Sequence, residues 1–272
     1  MVLRGLTHGL SVCALVWVAG VASGCAEESP RAEGRGEGRF PIPTEAQMAA
    51  ETRQDLAEDL GRAYSLAVGG QLDAARALVD EHLAAGPGRS DPEQALFVLA
   101  VVQQRASLNE QARTLLEEVI ARRPAFLSAY HHLGLSLCEL GDLDGAREAF
   151  EVLRARRPEQ VNTAYHLGLV ALEQGRLDEA EAFFREAVER HRGRNAAQLA
   201  RCHVGLGDVA QRRGELLAAR DHYERAAQCD LTSEQAWYGL NRVLWRLGDE
   251  PLAREAGQRH AKLVAAVDTS AR

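Results

Sequence analysis

The chain resembles itself at an interval of 34 residues. Leu133-Gly134, Gly141, Ala146 and Phe150 are matched, 34 residues on, by Leu167-Gly168, Gly175, Ala180 and Phe184. A fixed period of this length is the signature of a repeat array. In such an array one helical pair cannot bury its apolar face alone and needs its neighbours on either side. The interval therefore predicts a structure built from local contacts, with a core that extends along the chain.

The repeated positions are those a helical hairpin requires. Gly134 and Gly168 fall inside helical patterns, where the conformational cost of glycine must be recovered by close packing of a partner helix. Gly141 and Gly175 follow the first helix of each pair, where positive φ ends a helix cheaply. Ala146 and Ala180 are small contacts on the second helix, and Phe150 and Phe184 are its large ones. Pro158 follows the second helix of its pair and stops it.

This pattern resembles the tetratricopeptide repeat family at the residues just quoted. The register extends upstream through Leu99, Ala100, Ala112, Leu116 and Pro124. Downstream it continues through Leu206-Gly207, Gly214, Ala219 and Tyr223, and then Trp237, Leu240, Gly248 and Ala253. Asn241 stands where glycine is usual, and Gly257 and His260 also depart, as a terminal capping repeat does. A degenerate first copy is read at Leu60-Gly61, Tyr64, Gly70, Leu72 and Ala75. Between Gly168 and Gly207 the spacing is 39 residues, and the surplus is assigned to longer helix ends between Arg192 and Gln198. Alanine, leucine, glutamate and arginine dominate, and no β-branched run suggests a sheet. The expected fold is all-α, a right-handed superhelical solenoid of antiparallel helix pairs.

The N-terminus carries a second signal. Arg4 precedes an apolar stretch from Leu10 to Ala22, followed by Ser23, Gly24 and Cys25. A weakly basic start, a short apolar core and small residues describe a secretory signal, and the core is shorter than the roughly 20 residues needed to span a bilayer. Val21-Ala22-Ser23-Gly24-Cys25 resembles the bacterial lipobox, which implies acylation of Cys25; the same residues also fit an ordinary signal peptide cut nearby. Ala26 rather than aspartate follows the cysteine, which by the same resemblance implies outer-membrane placement facing the periplasm. From Ala26 to about Thr44 the chain is charged, rich in Gly and Pro, and has little to bury, the composition of a disordered tether. The expected layout is a signal peptide over 1–24, a lipidated N-terminus and tether over 25–49, about six repeats over 50–267, and a tail over 268–272.

The formal net charge of −7 becomes −8 when Arg4 leaves with the leader. An acidic chain is a poor partner for nucleic acid or anionic headgroups. Arg190, Arg192 and Arg194 are read as a solvated helix end near its carbonyls. No Gly-rich phosphate loop, HExxH, GxSxG or paired CxxC occurs, so a non-enzymatic chain is expected, without cofactor or metal. His131, His132, His166 and His203 invite a metal reading, but His132 and His166 occupy equivalent repeat positions, which explains them without a ligand.

The family resemblance implies that the first helix of each pair lines a concave groove for a protein or peptide partner. Carried onto this chain, the groove residues are Phe97, Val101, His131, Leu135, Tyr165 and Leu169, then Arg201, Tyr238, Arg242, Trp245 and Arg246. Cys202 is read as starting the first helix of the fifth repeat and Cys229 as ending its second. Antiparallel packing sets those ends side by side, so a Cys202–Cys229 disulfide and two packing thiols are both open. The expected function is an interaction scaffold on an envelope lipoprotein, in assembly of a surface or secretion apparatus. Its plan is similar to that of the pilotin lipoproteins of type IV pili. The alternative is an accessory subunit modulating an envelope enzyme, such as a cell-wall hydrolase or synthase.

Overall fold

The computed structural model describes residues 56–85, 91–158, 161–191 and 195–270. The segments read as a signal peptide and a tether, with Cys25, and Arg192 and Arg194 lie outside them. Twelve helices and no strand occur among the described residues. They are α1 (Glu58–Val68), α2 (Leu72–Ala84), α3 (Pro92–Arg105), α4 (Asn109–Arg122), α5 (Leu127–Leu140), α6 (Leu143–Arg156), α7 (Val161–Glu173), α8 (Leu177–His191), α9 (Ala196–Arg213), α10 (Leu216–Cys229), α11 (Glu234–Leu247) and α12 (Glu250–Ser270). Among the described residues, no helix is long and apolar enough to cross a membrane.

Each hairpin turns on one residue in the left-handed region. Gly70, Gly141, Gly175, Gly214 and Gly248 have φ between 73° and 83°. Ser107 takes the same place between α3 and α4 at φ 61°, a conformation that costs a residue with a side chain more than glycine. Some helix starts are capped by short polar side chains. Asp91 accepts the Gln94 N–H at 3.1 Å, ahead of Pro92 at the first helical position. Asn195 accepts the Gln198 N–H at 3.0 Å, and Ser233 accepts the Ala236 N–H at 3.3 Å. Helix α9 runs 18 residues where α3, α5 and α11 run 14, so part of the 39-residue interval is taken up by an earlier helix start.

The helices form two compact units that divide at Phe183 and Phe184. In the N-terminal unit, residues Leu60, Phe97, Val98, Val101, Leu116 and Val119 are fully buried within one apolar cluster. A second cluster there gathers around Phe150, Leu167 and Val170. In the C-terminal unit the core runs through Ala219, Tyr223, Trp237, Leu240, Val243 and Leu244 to Ala253 and Ala256.

The aromatics of α6, α8 and α10 explain the mid-helix glycines that face them. A β-carbon at Gly134 would lie 2.6 Å from the Phe150 ring, and one at Gly207 would lie 2.7 Å from Tyr223. The same aromatics also meet the next pair. Tyr223 would be 2.4 Å from a β-carbon at Gly239, and Phe184 2.6 Å from one at Gly205. Gly205 and Gly239 are themselves 34 residues apart. Counted in the same register, His132 and His166 occupy this position in earlier copies. His166 accordingly stacks on Phe150, with ring centroids 5.1 Å apart and planes at 10°. Glycine admits the ring edge-close, whereas histidine lies flat against it.

Candidate binding surface

In the N-terminal unit the expected groove residues divide by burial. Phe97 and Val101 are fully buried, which corrects their assignment to an open groove. Phe97 is held by Phe126 at 4.8 Å, edge to face, by His132 at 5.3 Å and by Tyr64 at 6.0 Å. Those contacts make it a packing anchor, inaccessible to a partner. His131, Leu135, Tyr165 and Leu169 are half-buried, each on the first helix of a pair. His131 lies 5.2 Å from His166 and 5.4 Å from His132, and Tyr165 is 5.5 Å from His166, so the four rings are contiguous. No group of three or more His, Cys, Asp or Glu that could hold a metal ion occurs among the described residues.

His132 is fixed by Gln104 from the neighbouring pair. Its Nδ1–H donates to Gln104 Oε1 at 2.7 Å, and Gln104 Nε2 donates to the His132 carbonyl at 3.0 Å and to Ser136 Oγ at 2.9 Å. This network joins α3 to α5 and leaves Gln104 little freedom. Nothing in the 34-residue pattern marks it: the matching residues in the next two copies are Cys138 and Leu172, and Gln211 in the copy after them bonds the Tyr223 hydroxyl instead.

Burial, with the adjacent His131 and Arg105, holds the His132 imidazole well below its usual range. The unfolded chain titrates this group near pH ~6.5, so below that pH the unfolded state binds a proton that the folded state refuses. Stability carried by neutral His132 is therefore present above about pH 6.5 and is lost as the pH falls toward its folded value. Melting of wild type and His132→Gln, compared between about pH 7.5 and about pH 5, should show a shallower decline for the variant. Parallel declines would remove His132 as a source of acid sensitivity.

In the C-terminal unit the expected residues are more open. Tyr238 is 50% exposed and Trp245 46%, and these are the only aromatics among the exposed large apolar side chains of the described residues. Arg242 and Arg246 are exposed and Arg201 is half-buried. Positions 238, 242 and 245 fall on one face of α11. The Arg242 guanidinium sits over the Tyr238 ring at 5.4 Å, and His260 of α12 is 5.5 Å from the same ring. The repeat pattern marks His260 only as a departure; in the structure it braces an exposed aromatic.

Cys202 and Cys229 are held as thiols in this structure, not as the disulfide their placement allowed. Cys202 does not start its helix: α9 begins at Ala196, which sets Cys202 in the helix interior, fully buried. Burial pushes its thiol up to about 12 and that of Cys138 up to about 11, so both stay protonated. They act as small apolar packing groups.

Tetratricopeptide repeat profiles match residues 97–160, 159–231 and 204–268. No curated protein matches the chain. Among solved structures, Pseudomonas aeruginosa PilF is similar over 79% of this chain and 93% of its own, at 19% identity and a TM-score of 0.62. MamA of Desulfovibrio magneticus RS-1 (residues 41 to the end) is similar over 65% of this chain and 97% of its own, at 20% identity and a TM-score of 0.55. A tetratricopeptide repeat protein of Parabacteroides merdae is similar over 76% of this chain and 77% of its own, at 16% identity and a TM-score of 0.60. At these identities the likeness is one of fold. With the profiles spanning most of the chain, helices paired at their interval and glycines seated against the aromatics of α6, α8 and α10, the chain belongs to the tetratricopeptide repeat family, whose repeats indicate a protein–protein interaction scaffold.

Proposed function

We propose that this chain is a lipid-anchored scaffold of the cell envelope that holds a protein or peptide partner along the first helices of its repeats, in assembly of a surface or secretion apparatus. The observation that carries the binding half is the exposed pair Tyr238 and Trp245 on α11, with Arg242 between them. Tyrosine, tryptophan and arginine supply most of the energy of protein interfaces, and here none of the three is used up by the fold. The fold likeness to PilF and the resemblance of the plan to pilotins support the apparatus; the lipobox resemblance at Cys25 supports the anchor.

Two experiments test the two halves. Cys25→Ser should abolish incorporation of a clickable palmitate in growing cells and release the protein from membranes. Labelling of the variant equal to wild type would overturn the anchor. For the binding half, the double change Tyr238→Ala and Trp245→Ala should remove partners crosslinked to wild type in intact cells. Melting should change little, by about 1 kcal/mol or less, because neither side chain is buried. Retention of the same partners by the double variant would show that binding lies elsewhere.

A further inference from the structure

We infer that the exposed strip of α11 recognises an acidic segment of a partner protein bearing apolar side chains, an inference that rests on the scaffold reading above. The arginines of this strip carry charge that no ion pair among the described residues compensates. Several arginines on other helices meet a carboxylate one turn away: Arg113 with Glu117 at 2.8 Å, Arg147 with Glu151 at 2.9 Å, Arg190 with Glu186 at 2.8 Å and Arg254 with Glu250 at 2.9 Å. Helix α11 offers its arginines no such pair. Arg242 and Arg246 are one turn from each other, an arrangement of like charges that weakens a helix.

Neither Arg242 nor Arg246 has an ion-pair partner among the described residues. The carboxylates that follow Arg246 in sequence are engaged, since Asp249 accepts the Leu252 N–H at 3.3 Å and Glu250 bonds Arg254. On α9, Asp208 accepts the Tyr223 hydroxyl at 2.6 Å. The Arg242 guanidinium lies over the Tyr238 ring, a contact that does not neutralise it. Its planar fork suits bidentate capture of a carboxylate. Tyr238 and Trp245 stand two turns apart on either side, where they can take apolar side chains. The chemistry that completes the strip is therefore carboxylates set among apolar residues.

Panning a library of short random peptides against the full chain tests this. Peptides rich in Asp and Glu, interspersed with Leu, Phe or Trp, are expected to be enriched. Their affinity, followed by fluorescence anisotropy, should fall about tenfold or more with Arg242→Glu plus Arg246→Glu, and should weaken with added salt. Unchanged melting of each variant establishes that it is folded. Enrichment of neutral or basic peptides that are lost with Trp245→Ala would overturn the acidic partner and leave the scaffold reading standing. Enriched peptides that bind the Tyr238→Ala, Trp245→Ala variant as tightly as wild type would overturn the strip and place binding elsewhere on the scaffold; no enrichment at all would overturn the strip as a binding surface and the peptide-binding reading with it.

Discussion

Replacing Gly239 by leucine should destabilise the C-terminal unit by about 3 kcal/mol or more, beyond the usual penalty for overpacking a core. Helix propensity pulls the other way, because a mid-helix glycine is about 1 kcal/mol worse than alanine. The steric term decides the sign. A β-carbon at position 239 would stand 2.4 Å from the Tyr223 ring, whose same edge already packs so closely on Gly207 that a β-carbon there would lie at 2.7 Å. The Tyr223 hydroxyl is also tied to Asp208 at 2.6 Å and to Gln211 at 3.1 Å. Chemical denaturation followed by circular dichroism would measure the loss. A midpoint equal to wild type would show that the ring can move aside. Gly248→Leu makes a useful contrast, since nothing lies within 4 Å of its β-carbon and its cost is confined to backbone strain at φ 83°.

Removing the ring instead of crowding it should be as severe. Phe150→Ala in the N-terminal unit is expected to cost about 3–5 kcal/mol, the range for deletion of a buried aromatic. Phe150 is fully buried, with Gly134 against its edge and His166 stacked on its face. The site collapses poorly, because glycine offers no side chain to fill the gap and His166 loses the surface it lies on. Thermal melting of wild type and Phe150→Ala checks the size, and a loss under about 1 kcal/mol would mean the neighbouring helices close the cavity. Adding His166→Gly should not restore stability, since it deepens the same void.

Much of the fold is legible in the residues themselves, for a specific physical reason. Helical hairpins that contact only their neighbours must solve the same packing problem at each copy, so the solutions recur as a period in the chain. Gly141, Gly175, Gly214 and Gly248 mark turns because positive φ is a local backbone demand that glycine meets most cheaply. Ser107 breaks the pattern of residue type but not of conformation, and only the backbone reveals it.

The candidate surface is half legible in the same way. Residues on the same repeat position can be assigned to the same helix face, and Tyr238, Arg242, Trp245 and Arg246 are exposed. Phe97 and Val101 hold matching places in their copy yet are buried; Tyr64 and His132 converge on Phe97 from two other helices, and Phe126 from the loop ahead of α5. Burial depends on what neighbouring copies place opposite a residue, and that is a sum over side chains remote in sequence. The same holds for Gln104, whose bond to His132 spans 28 residues. Periodicity thus settles helices, turns and faces, which are local and repeated. Exposure, polar networks and thiol state are settled by the particular side chains that meet across helices, where each copy differs from the next.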